Sequence, residues 1–332
     1  FMPARNESKE VDGYLTSKFS HFNEKAKPGY YSVYLDDHQV QVDLTATERA
    51  GFHLYHYESP CVANLNINLE HRDEVLESGF KIMNDTTIAG FRKSKSWAKE
   101  QYVYFYAILS HPIKTKSIYT ENVLADSLSV SSKAIRANLY FVLKEDCNLK
   151  VKVGISAVDI EGAKQNLLAE IPQWDFDLTK KQALEKWEKA LSKIEVKGGT
   201  ESQQTAFYTA LYHSMLCPNI FQDVDGRYRG TDLKIHQAAD FTNYTVFSLW
   251  DTYRAAHPLY TIIEQERTKD FIQTLLHQYK NGGKLPMWEL AGNYIGCMIG
   301  YHAIPIITDA FLKGIITSNI DSLYAAMKYS AM

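Results

Sequence analysis

Residues 30–57, "YYSVYLDDHQVQVDLTATERAGFHLYHY" (Tyr30 to Tyr57), carry the pattern on which the fold turns. Three runs rich in Tyr, Val, Phe and Leu (YYSVYL, QVQVDLTATER and GFHLYHY) are separated by the turn signals LDDH and RAG. Aromatic and β-branched residues suit a pleated, half-buried surface, and apolar–polar alternation puts one face of each strand on a core. The same texture extends outward through VANLNINL, QYVYFYAIL, IRANLYFVL and LKVKVGIS, with turn signals at NDTT and KEDCN. No ten-residue helical period intervenes before Ser156. Many short strands at this spacing predict an antiparallel β-sandwich.

After Ser156 the period changes. DIEGAKQNLLAEI and DLTKKQALEKWEKALSKI repeat apolar residues at helical spacing, with Asp177 as the expected N-cap of the second. TESQQTAFYTALYHSML opens on a Thr/Ser cap and places Phe207, Leu211 and Met215 on one helical face. QDVDGRYRGTD predicts a hairpin around Asp225-Gly226. Beyond it, helices are expected at about 246–257, 266–280, 297–313 and 320–332, a succession without strands that argues for a helical toroid or bundle. The expected organisation is a β-sandwich over 1–175, a helical connector over 176–199 and a helical domain over 200–332. FMPARNESKE shows no charged-then-apolar leader pattern, and DSLYAAMKYSAM stops inside a helical period. Both ends therefore read as cut from a longer chain.

Composition narrows the function classes. With 36 basic and 39 acidic residues, net charge -3, the chain has no electrostatic case for nucleic acid or an anionic membrane. No run approaches the ~18 apolar residues of a membrane helix. Cys61, Cys147, Cys217 and Cys297 match no zinc or redox spacing and do not decide the compartment. The 22 Tyr, 15 Phe and 5 Trp suit large sheet cores and also sugar stacking, where apolar C–H faces lie on rings.

Three stretches carry candidate chemistry. In FSLWDTYRAAHPL (247–259), Asp251 and Arg254 lie one turn apart if the segment is helical from about Thr245. An exposed pair at that spacing is worth only ~0.2–0.5 kcal/mol. Among so many aromatic neighbours, however, the carboxylate is expected partly out of water, where it needs real partners such as Arg254 or ligand hydroxyls. NGGKLPMWELAGN (281–293) sets Trp288 beside Glu289 in a glycine-rich connection, a sugar platform or equally a plugged helix–helix junction. In GCMIGYHAIPIITDAFLKG, His302 and Asp309 are two turns apart with no third ligand at metal spacing, so His302 reads as a satisfied core histidine. GTDLKIHQAADF lacks Walker spacing, no nucleophile elbow occurs, and SWAKEQYVYFYAIL reads as an aromatic strand rather than a site.

Taken together and in order, SKFSHFNEKAKPGYYSVYL, LTATERAGFHLY, IAGFRKSKSWAKEQYVYF, YTVFSLWDTYRAAHPL, GGKLPMWELAGN and CMIGYHAIPIITDAFLKGI resemble glycoside hydrolase family 92, the exo-acting α-mannosidases. The resemblance runs nearly end to end. It implies a β-sandwich feeding an (α/α)6 barrel, a calcium ion, and single-displacement hydrolysis of terminal α-linked mannose, α-1,2 linkages foremost, with inversion. It further implies a mannose-containing glycan as substrate, a role in N-glycan degradation, and a secreted, periplasmic or cell-surface protein. By the same resemblance Asp251 matches the acid that binds hydroxyls of the terminal mannose, and Trp288 the ring that stacks near it. Arg254 and Glu289 are expected to support that pocket.

The resemblance also marks what these residues lack. An inverting glycosidase needs two carboxyl groups ~6.5–9.5 Å apart, one to protonate the leaving oxygen and one to activate water. The family supplies them, and its calcium ligands, downstream of LPMWEL; no GNDD stretch occurs here. No catalytic residue or metal ligand is therefore assigned in this sequence. Two other functions fit the same residues: a non-catalytic glycan-binding relative that keeps Asp251 and Trp288, and a disaccharide phosphorylase of similar architecture, which would need a basic phosphate pocket.

Overall fold

The computed structural model describes residues 1–6 and 15–332; residues 7–14, part of the N-terminal stretch read for a leader pattern, lie outside the described residues. The chain forms two compact units, Phe1–Ser96 with Tyr102–Trp187, and Trp97–Gln101 with Glu188–Met332.

The first unit is the sandwich. One sheet has five strands in the order Met2–Arg5, Cys61–Asn68, Ile135–Leu143, Thr115–Thr120, Val123–Ala125. The other has nine: Ser129–Ser132, Glu74–Asn84, Thr87–Lys95, Gln101–Leu109, Asn148–Ser156, Ala50–Tyr57, Val40–Ala46, Tyr30–Leu35 and Glu24–Lys27. The pairings are antiparallel. Alternation explains which side faces in. Along IRANLYFVL, Ile135, Ala137, Leu139, Phe141 and Leu143 are buried, and they share one core with Val40, Tyr55, Phe80 and Val151 of the larger sheet. The long strands Glu74–Asn84 and Thr87–Lys95, of which the sequence pattern shows only the NDTT turn between them, form the most extended hairpin of the sheet. Lys, Glu, Ser and Gly dilute their apolar alternation, so pairing partners rather than pattern define them.

The helix Ile160–Glu170 covers the outer face of the large sheet. Phe52, Leu167, Ile171 and Phe176 make a second, smaller core there. Contact is so close that a Cβ on Gly154 would lie 2.1 Å from the Ala163 carbonyl oxygen, so only glycine allows helix and strand to meet. The following helix, Phe176–Leu191, is capped by Asp175, whose carboxylate accepts from the Leu178 N–H at 2.9 Å. The expected cap, Asp177, instead lies inside the helix and pairs with Lys180 at 3.0 Å. A cap needs non-helical backbone two or three residues before its donor, and Asp175 has that place.

The second unit contains the helices Glu201–Ser214, Ala256–Ile263, Gln265–Gly282, Ala303–Leu312 and Ile320–Ala331. Thr200 and Gln203 form a full capping box at the first. Phe271 centres the core, with the rings of Tyr244, Phe247, His257 and Tyr260 all edge-on to it. Two expectations are corrected here. The unit is not free of strands: three small sheets interrupt the helices. The hairpin lies one step further on than Asp225-Gly226, pairing Arg227–Arg229 with Ile235–Gln237, while Asp225-Gly226 forms the separate turn that leads in.

Candidate functional site

The segment expected to run as one helix from about Thr245 is broken into pieces, and the breaks build the site. Tyr244–Thr245 and Phe247–Ser248 are short strands joined by Val246 at φ +66°. A β-branched residue in the left-handed region is costly, roughly 1–2 kcal/mol, and persists only where surroundings enforce it. A single helical turn, Leu249–Thr252, follows before the next helix starts at Ala256. Phe247–Ser248 pairs with Trp288–Leu290, which pairs in turn with Asn293–Tyr294. The connecting Ala291-Gly292, both at positive φ, gives a two-residue hairpin whose twist matches its strands.

This register decides what faces where. Phe247 and Glu289 are opposite each other and are each 1% exposed. Ser248 and Trp288 are opposite each other on the outer face, each half-buried. The Ser248 hydroxyl donates to the Asp251 carboxylate. Two motifs some forty residues apart, SLWDT and LPMWEL, thus meet through one pair of backbone strands. Trp288 also meets Trp97 edge-on, ring centroids 5.8 Å apart. Asn293 holds that neighbour in place, accepting from the Glu100 N–H at 3.2 Å and donating to the Glu100 carbonyl at 2.9 Å.

Asp251 and Arg254 are both exposed, and among the described residues their hydrogen bonds go to Ser248 and Tyr253 rather than to each other. The expected partly buried pair is therefore absent. Arg254 instead donates to the Tyr253 hydroxyl at 3.0 Å and lies over the rings of Tyr253 and Trp250, 5.3 and 5.8 Å from their centroids. Tyr253 stacks on His302 at 4.3 Å with 9° between the planes. His302 Nε2 is buried and has no hydrogen-bond partner, so the satisfied core histidine of the sequence reading is also corrected. Asp309 is engaged elsewhere, with Lys313 at 2.8 Å.

Glu289 faces the interior. Its Oε1 accepts from the Thr245 hydroxyl at 2.9 Å and the Gly292 N–H at 2.7 Å, while Thr245 Oγ1 accepts from the Ala291 N–H at 2.7 Å. These bonds tie together the two left-handed stretches, Val246 and Ala291-Gly292. Burial pushes the Glu289 carboxyl up to about 7, against the pull of the Gly292 N–H, Thr245, the Val246 backbone and the Gln278 amide. The carboxyl reaches no solvent, so any support it lends Trp288 comes from behind the strand.

The outer face offers a carboxylate acceptor, Asp251, bonded to the residue opposite the Trp288 ring: the chemistry that holds a polyol by its hydroxyls and its C–H face. Among the described residues no group of three or more His, Cys, Asp or Glu is gathered that could hold a metal ion. Trp97 escaped the sequence reading because its loop was absorbed into the following strand; an unpaired Trp in the polar run KSKSWAKE was the available signal. Tyr253 and His302 carried none, since stacking across fifty residues leaves no periodicity.

Residues 162–332 match the model of the glycosyl hydrolase family 92 catalytic domain, and residues 1–156 that of the glycosyl hydrolase family 92 N-terminal domain. A family GH92 α-mannosidase from Bacteroides thetaiotaomicron, also solved in complex with mannoimidazole, superposes with a TM-score of 0.94 at 34% identity, over 99% of this chain and 47% of that one. A family GH92 inverting mannosidase from the same organism gives 0.90 at 27% identity, over 98% and 44%. An uncharacterized secreted glycosidase from Arthroderma benhamiae is 24% identical over 90% of this chain and 37% of its own length. The chain thus spans less than half the length of these relatives.

Proposed function

The chain belongs to glycosyl hydrolase family 92, and from that membership we propose that it forms part of an exo-acting α-mannosidase releasing terminal α-linked mannose, α-1,2 linkages foremost, from glycans. The observation that carries the reading is the Ser248–Trp288 register, which sets the Asp251 carboxylate and the Trp288 ring on one exposed face. Asp251 accepts from hydroxyls of the terminal mannose, and Trp288, with Trp97 beside it, presents rings to the sugar's C–H face. Arg254 braces Tyr253 and Trp250 alongside. Glu289 takes no part in contact with the sugar and locks the strand that carries Trp288.

Inversion and calcium dependence belong to the same proposal. The acid that protonates the leaving oxygen and the base that activates water are assigned outside these residues, and so are the oxygen ligands of a Ca²⁺ ion. When bound, such an ion would offer a Lewis-acidic contact to substrate oxygens. A secreted, periplasmic or cell-surface location agrees with the description of the fungal relative as secreted. The test is an assay of the whole protein on mannobioses of defined linkage, with NMR of the anomeric product and with and without a chelator. Release of β-mannose from the α-1,2 disaccharide, lost on chelation, is the expected result. No hydrolysis of any mannobiose by intact, metal-replete protein refutes it.

A further inference from the structure

Behind the Glu289 strand lies a cavity of about 10 Å³, room for roughly one water molecule. Its wall includes Glu289, Gln278, Asn281, Asn243, Tyr228 and Gly230. Three of these present a buried polar atom that no hydrogen bond of normal geometry reaches: Glu289 Oε2, Gln278 Oε1 and Asn281 Nδ2, although the Gln278 amide acts on the Glu289 carboxyl and Asn281 on the Tyr228 hydroxyl. Buried polar atoms are paired in nearly all native structures, because leaving one unpaired forfeits its hydration with nothing in return. Here the unpaired groups share a single small space.

We propose that this cavity is a built site for one internal water molecule. Two of the three groups accept and one donates, which is the complement of a water's two O–H bonds and a lone pair. With the carboxyl ionised, the water donates to Glu289 Oε2 and Gln278 Oε1 and accepts from Asn281 Nδ2; with it protonated, Oε2–H donates to the water instead. It completes the second oxygen of a carboxyl whose first oxygen already holds Thr245 and Gly292. A protonated Glu289 donating its Oε2–H directly to Gln278 Oε1 would satisfy two of the atoms and strand Asn281. A cation is disfavoured by an N–H donor among the three groups.

The backbone keeps the space open. A Cβ on Gly230 would lie 2.8 Å from Asn281 Nδ2 and 2.7 Å from His236 Cδ2, so a methyl there displaces the amide from the wall. Gly292, also in the wall, sits against the carbonyl oxygens of Gly230 and Arg229, 3.0 and 3.1 Å from where a Cβ would stand. Glycine at 230 therefore preserves the donor, and glycine at 292 the close wall.

The deciding experiment is a crystal structure of the whole protein at a resolution that shows ordered water, for the wild type and for Gly230→Ala. The expected result is one density peak within about 2.7–3.2 Å of all three named atoms in the wild type, absent in the variant. An empty wild-type cavity with Glu289 bonded directly to Gln278 overturns the proposal. So does a peak with five or more oxygen neighbours that changes strength when sodium is exchanged for potassium, since that is an ion. If Gly230→Ala does not fold, the wild-type density alone decides, and Gln278→Leu serves as the second variant: it should lose the peak, and an unchanged peak there also overturns the assignment.

Discussion

Replacing Glu289 with Gln should change how the helical unit's stability depends on pH, and the structure gives the size. The Glu289 carboxyl sits at about 7 in the fold against an ordinary 4.5. A carboxyl raised in this way is stabilised in its protonated form. Below pH 4.5 both folded and unfolded chains hold the proton and the contribution is fully present. Between 4.5 and 7 only the folded chain holds it, so stability falls as pH rises, and above 7 the loss is complete. The difference between 7 and 4.5, at about 1.4 kcal/mol per pH unit, amounts to about 3 kcal/mol. His257, buried against Phe271 and held down to about 4 from 6.5, acts in the opposite sense: its contribution is present above 6.5 and lost as pH falls toward 4. The two slopes oppose each other in the wild type. Glu289→Gln keeps an oxygen acceptor for Thr245 and Gly292 but no longer titrates, which exposes the His257 slope. Urea unfolding of the helical unit, followed by tryptophan fluorescence from pH 4.5 to 7.5, should show the variant gaining about 3 kcal/mol on the wild type across that interval. A gap between the two proteins that stays constant with pH would show that Glu289 titrates normally and that its burial has been misjudged.

Other consequences follow from the same geometry. In the whole protein, Asp251→Ala removes a charged acceptor worth ~1.5–3 kcal/mol to substrate hydroxyls, so kcat/KM should drop roughly ten- to hundredfold while the melting temperature of this exposed position stays put; full activity refutes the assigned role. Trp288→Ala and Trp97→Ala should each raise KM for mannosides, whereas a purely structural role would lower the melting temperature and leave the kinetics of folded enzyme normal. Gly292→Ala forces a side chain into φ +74° against two carbonyl oxygens and should cost roughly 1–2 kcal/mol or more in unfolding free energy. Phe271→Ala, at the centre of four edge-on rings, should cost about 3–5 kcal/mol in the same measurement.

Much of this protein is written locally. A strand's side chains alternate regardless of distant partners, so IRANLYFVL and GFHLYHY announce both strand and buried face. The Thr200 capping box and the NGG end of the Gln265–Gly282 helix, where Gly283 takes φ +79°, are likewise properties of a few adjacent residues. The family resemblance is local too, since it rests on unbroken motifs. What the tertiary structure decided is the relation between distant motifs. The period of FSLWDTYRAAHPL favours a helix, yet pairing with Trp288–Leu290 and the core position of Phe247 draw its first residues into a strand through a left-handed Val246. The same pairing turns Glu289 inward and Trp288 outward, a distinction invisible in the adjacent letters W and E. The reason is range. Propensity and period act over a few residues at tenths of a kcal/mol each, while burial and paired backbone hydrogen bonds act between residues forty apart and contribute several kcal/mol together.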